Sequence, residues 1–63
     1  MQLTIKILLD NAAYDDNGRA YEIAANLNAV TQKIISGASS GAIYDSNGNK
    51  TGVFEINEGL ENE

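Results

Sequence analysis

The sequence predicts a small α+β domain of order β-α-β-β, one helix packed on a three-stranded mixed sheet. Three observations predict it: a period-two apolar alternation near the N-terminus, a helical period from Arg19 to Ser36, and an Asn-Gly pair between two further alternating runs. With 63 residues the chain holds one small domain. We place that domain at residues 1–56 and an acidic tail at 57–63, which is expected to fray.

The first strand is predicted at residues 2–9. Leu3, Ile5, Ile7 and Leu9 point one way; Gln2, Thr4, Lys6 and Leu8 point the other. Leu8 puts an apolar group on the otherwise polar face. Residues 10–18 form a turn-rich connection, in which a short helical turn is expected to tuck Tyr14 over one edge of the core, its hydroxyl left wet.

The helix follows. Ala20, Ile23, Ala24, Leu27, Val30, Thr31 and Ile34 fall on one face centred on Leu27, at about 100° per residue. Glu22, Ala25, Gln32, Lys33 and Ser36 fall opposite, towards solvent. Asn17 is the expected N-cap, with Asp15 and Asp16 near the positive end of the helix dipole. Gly37 suits the left-handed position after the helix.

Asn47-Gly48 predicts a two-residue hairpin turn with φ > 0 at both positions. That register sets Asp45 opposite Lys50, Tyr44 opposite Thr51, Ile43 opposite Gly52 and Ala42 opposite Val53. Gly52 then makes room for the helix or marks a bulge. The first strand can pair beside the third, giving order 2-3-1, or lie parallel beside the second. Antiparallel neighbours tolerate a one-sided sheet better, which favours 2-3-1. The crossover is expected to be right-handed.

One helix covers one face of such a sheet. The other face carries Thr4, Lys6, Leu8, Ala42, Tyr44, Thr51, Val53 and Glu55. Leu8, Tyr44 and Val53 are larger apolar groups than a solvated face requires. These eight residues are the candidate protein-interaction surface, for a different protein or a second copy of the chain.

Composition narrows the chemistry. There is no cysteine and no histidine, so thiolate chemistry and the commonest catalytic base and metal ligand are absent. The serines have no histidine to activate them, and so small a domain has little volume for a pocket that would raise a carboxyl pKa. No enzyme activity and no cofactor are expected. Asp45-Ser46-Asn47-Gly48-Asn49 begins like a calcium loop, but Lys50 and Ile56 stand where glycine and glutamate are needed. The acids Asp10, Asp15 and Asp16 read as turn and cap residues. The loop at residues 37–41 leaves a helix C-terminus, where the dipole has the wrong sign for phosphate. Net charge is −5 and the four cations, Lys6, Arg19, Lys33 and Lys50, are scattered, which disfavours direct nucleic-acid binding. No apolar run approaches the roughly 18 residues of a membrane span, and MQLTIKILLD lacks the marks of a signal peptide.

A strand ending in Leu9-Asp10-Asn11-Ala12-Ala13-Tyr14, a helix opening at Tyr21-Glu22-Ile23-Ala24, and Tyr44-Asp45-Ser46-Asn47-Gly48-Asn49 leading to Gly52-Val53-Phe54-Glu55-Ile56 resemble a group of small acidic proteins encoded by tailed bacteriophages and prophages. The chain departs from that pattern in Tyr14, where phenylalanine is usual, and in the low charge density of its helix. The resemblance covers nearly the whole chain. It implies a phage setting and a bacterial cytoplasm, and it brings no functional residue with it. The expected function is a non-enzymatic accessory protein that binds a host or viral protein, or itself. The alternatives are an acidic inhibitor of a nucleic-acid-binding host defence factor and a small virion or assembly component.

Overall fold

The computed structural model describes residues 1–57. The elements are β1 (Gln2–Ile7), α1 (Ala12–Asp16), α2 (Arg19–Ile35), β2 (Ser40–Tyr44) and β3 (Lys50–Asn57). The three strands form one sheet in the order β1-β3-β2, the expected 2-3-1 arrangement counted from the opposite edge. Both neighbouring pairs are antiparallel, so the sheet is not mixed. The reason is β3 itself: the long central strand runs against each outer strand. Asn57 pairs with Gln2, so β3 runs one residue past the predicted domain limit; the rest of the predicted tail lies outside the described residues.

The anticipated helical turn is α1, a second helix, and its Tyr14 is fully buried. α2 spans 17 residues and ends as anticipated. Gly37 has φ 102°; its amide donates to Ile34 O at 3.0 Å and the Ala38 amide to Lys33 O at 3.0 Å. This is the paired Schellman closure that a left-handed glycine permits. The start differs. Gly18 is the N-cap residue, without a side-chain cap, and Asn17 instead donates to the Glu22 carboxylate at 3.2 Å.

The hairpin turn is not the predicted two-residue type. Asn47 has negative φ and Gly48 alone is left-handed, at 84°. The Gly48 amide reaches Asp45 O at 3.0 Å and the Asp45 amide reaches Asn49 O at 2.9 Å, so the loop holds Ser46, Asn47 and Gly48. Asp45 Oδ1 decides the matter by accepting from the amides of both Asn47 and Asn49 at 2.9 Å. A carboxylate that holds the turn from inside keeps Asn47 out of the left-handed region. Tyr44 consequently pairs with Lys50, not Thr51. A bulge follows between Ile43 and Tyr44 and absorbs Thr51, which restores Ile43 opposite Gly52 and Ala42 opposite Val53 as predicted.

The apolar core is small: Val30, Ile43 and Phe54, with Ile7, Ile34 and Ala38 packed against it. Burial of each large member stabilises by roughly 1.5–3 kcal/mol. Phe54 lies across Gly41, its directly opposed partner on β2. Gly52 makes room not for the helix but for β1, because a Cβ there would collide with the Lys6 carbonyl and come within 3.0 Å of Ile7 Cα.

Both contacts at Gly52 are backbone, so a methyl group there must push β1 away. Gly52→Ala is expected to cost at least about 2 kcal/mol in urea unfolding. Gly48→Ala, where a Cβ meets nothing but φ is positive, should cost about 1 kcal/mol. Equal losses at the two sites would contradict the close approach of β1.

Candidate functional site

Two surfaces, the sheet face away from α2 and the outer edge of β1, and one buried polar cluster emerge from this arrangement. The cluster explains how the surfaces are presented. α2 does not lie over the sheet centre with Leu27 inward. It lies along the outer edge of β2, running antiparallel to it. Glu22, Asn26 and Val30 are buried, and Ile23, Lys33 and Ile34 are half-buried, so Val30, Ile23 and Ile34 keep their predicted inward side. Leu27 is exposed, as are Ala20, Ala24 and Thr31. Glu22 and Lys33, expected on the solvent side, are thus turned inward.

Hydrogen bonding accounts for the rotation. An outer strand presents every second amide and carbonyl to its free side. On β2 those carbonyls belong to Ser40, Ala42 and Tyr44, and α2 meets the last two. Lys33 Nζ donates to Ala42 O at 2.7 Å, and Asn26 Nδ2 donates to Tyr44 O at 3.2 Å. One step further, the Ser46 amide and hydroxyl donate to the Glu22 carboxylate at 2.9 and 2.6 Å. An apolar stripe facing that edge would leave these groups unpaired, at a cost of about 1–3 kcal/mol each.

Tyr14 closes the cluster. Its hydroxyl, expected to be wet, donates to Asn26 Oδ1 at 2.6 Å and lies 2.8 Å from Thr51 Oγ1. A phenol has one proton, so the Thr51 hydroxyl must donate to the Tyr14 oxygen. Asn11 Nδ2 donates to Asp45 Oδ2 at 3.0 Å, tying the start of α1 to the hairpin turn. The Asp45 carboxyl is held below the ordinary carboxylate range, mainly by the Asn11 amide and the Asn49 backbone amide, against the upward push of burial. The Glu22 carboxyl is held low chiefly by the Ser46 hydroxyl, again against burial, with Asn17 and the Ser46 amide assisting. Its place in the first turn of α2 also suits a negative charge.

The sheet face away from α2 gathers most of the predicted interaction residues. Lys6, Val53 and Ala42 form one row across the three strands, and Thr4 and Glu55 form the next with Ser40. Leu8 extends the face beyond β1, its amide donating to Thr51 O at 2.9 Å. Leu8 is 71% exposed, Tyr44 53% and Val53 42%. Tyr44 stands at the β2 edge, where Lys33 Nζ lies 5.9 Å from its ring centroid. Thr51 does not belong to this face. The bulge turns it inward to Tyr14, and it is buried. Surface hollows are open and shallow: one of about 500 Å³ beside the C-terminus of α2, another of about 320 Å³ along β2 and β3.

Sequence reasoning missed Asn26 altogether. A signal existed: Glu22, Asn26, Val30 and Lys33 share one helical stripe, and three of the four are polar. No protein-family model, no curated protein and no solved structure matches the chain. Among the described residues, no helix is long and apolar enough to cross a membrane.

The two lowered carboxyl groups set an acid limit. A carboxyl whose pKa is depressed on folding contributes stability above its unfolded pKa and loses it as pH falls through the folded value. Stability should therefore be level above about pH 5 and fall from about pH 4 downward. The Glu22→Gln variant should show a shallower acid decline, read as urea midpoints across pH. An unchanged acid slope would show that Glu22 is not held as described.

Proposed function

We propose that this protein acts by binding another protein through the open sheet face, with Leu8, Tyr44 and Val53 as the apolar contacts and Thr4, Lys6, Ala42 and Glu55 around them. One observation carries the reading: three large apolar side chains stand on or at the edge of a face that neither helix covers, each more than 40% exposed. Aromatic and aliphatic anchors surrounded by polar residues are the usual anatomy of an interface.

The chemistry of the buried carboxylates favours binding over catalysis. Both Glu22 and Asp45 are occupied by donors from the chain itself, and both pKa values move down. A general acid needs the opposite shift and an open approach. The phage resemblance makes a host or viral protein in a bacterial cytoplasm the natural partner. In that setting the protein is an accessory factor rather than an enzyme.

Replacing Tyr44→Lys and Val53→Lys together should abolish capture of the partner while leaving the far-ultraviolet dichroism of the helix intact. The check is affinity capture from infected bacteria with the native chain and the double variant side by side. Equal recovery of the same protein by both would overturn the assignment of this face.

A further inference from the structure

The two edges of the sheet are built differently. On β2 the outward carbonyls of Ala42 and Tyr44 are taken by Lys33 and Asn26. On β1 the described residues provide no equivalent cover. The Leu8 amide points inward to Thr51 O, so the even-numbered residues of β1 turn their amides and carbonyls to β3. The Ile56 amide, which points the other way to Ser39 O, fixes the same parity from the β3 side. The amides and carbonyls of Leu3, Ile5 and Ile7 therefore face the open edge. β1 carries no proline and no bulge, two of the devices that blunt an edge, and its single charged residue is Lys6. Leu3 is 49% exposed and Ile5 36%.

We propose that β1 pairs antiparallel with β1 of a second copy of this chain, about a two-fold axis through Ile5. The residues themselves select that register. Centring on Ile5 sets Ile5 against itself and Leu3 against Ile7 of the other copy. Each of these is a pair that exchanges both hydrogen bonds, so every outward amide and carbonyl of β1 finds a partner. Opposed residues share a face, so aliphatic side chains meet aliphatic ones and both copies keep α2 on the same side of a continuous sheet. A two-fold axis between residues would set odd positions against even ones and oppose apolar to polar side chains.

Charge favours the same register. On the open face Lys6 comes opposite Thr4 of the second copy, and Thr4 is flanked in its own sheet by Glu55. Each exposed lysine thus approaches an exposed carboxylate of the other chain, and no two like charges are directly opposed. For a chain of net charge −5 that contact offsets part of the repulsion between copies. The interface is isologous and closes at two copies. It uses the edge of the sheet rather than the open face, so it stands or falls separately from the function proposed above.

Sedimentation equilibrium at millimolar chain concentration tests it. The native chain should have the dimer mass. Ile5→Lys and Ile5→Glu should each be monomeric, because the axis sets like charges directly against each other. An equimolar mixture of the two should recover the dimer mass, as an ammonium then meets a carboxylate. The Tyr44→Lys and Val53→Lys double variant should remain dimeric. A monomeric native chain, a dimeric Ile5→Lys variant or a mixture that stays monomeric would each overturn the proposal. If a position-5 variant fails to fold, amide exchange in the native chain decides. Protection of Leu3, Ile5 and Ile7 that is lost on dilution supports the pairing, and unprotected amides at millimolar concentration refute it.

Discussion

The docking of α2 on the outer edge of β2 is the constraint on which the rest of this structure depends. A sheet of three strands has two edges, and a domain of this size has little apolar core with which to hold a helix by burial alone. Here the helix is held by hydrogen bonds that the strand edge would otherwise leave open. Asn26 is the central residue. It donates to the Tyr44 carbonyl and accepts from the Tyr14 hydroxyl, so one side chain joins α1, α2 and β2. Because Thr51 donates to the same hydroxyl, β3 is joined as well. The helix is rotated until its polar stripe meets the edge. Leu27 is turned outward in consequence.

The turn chemistry belongs to the same system. Glu22 receives the first donors of the hairpin loop, and Asp45 holds the following amides from inside. Buried carboxylates of this kind are costly unless several donors meet them, and here each has them. They act as structural anchors whose charge is retained at neutral pH. The surfaces left for function are accordingly those outside the cluster: the sheet face away from α2, and the uncovered edge of β1.

Much of this was legible in the sequence, and the limits have physical causes. The alternation through Leu3, Ile5 and Ile7, the C-terminal end of the helix and the left-handed Gly37 depend on local periodicity and backbone conformation and match the structure. By contrast, β1 stops at Ile7 rather than at residue 9, and the N-cap is Gly18 rather than Asn17. Tyr14 is buried as its place in the turn predicts, but its hydroxyl meets Asn26 and Thr51 rather than water. The rotation of α2 was not legible, because apolar periodicity assumes that the buried side must be apolar. A helix set on a strand edge breaks that assumption with Glu22 and Asn26. The hairpin was misread because Asn47-Gly48 has a strong local preference that the Asp45 carboxylate overrides. The resulting shift placed Thr51 on the wrong side, while the bulge repaired the register for Ile43 and Ala42. Of the predicted interaction residues, Lys6, Ala42 and Val53 do come together as one row.

Polar bonds to the β2 edge, rather than an apolar face centred on Leu27, hold α2 in place. Comparing the unfolding free energies of Asn26→Ala and Leu27→Ala tests it most directly. The Asn26→Ala change strands the Tyr14 hydroxyl and the Tyr44 carbonyl, so it should cost about 1–3 kcal/mol. The Leu27→Ala change removes a side chain that is 41% exposed and should cost clearly less. A larger loss at Leu27 than at Asn26 would contradict the account, because it would mean that the helix turns its apolar face inward.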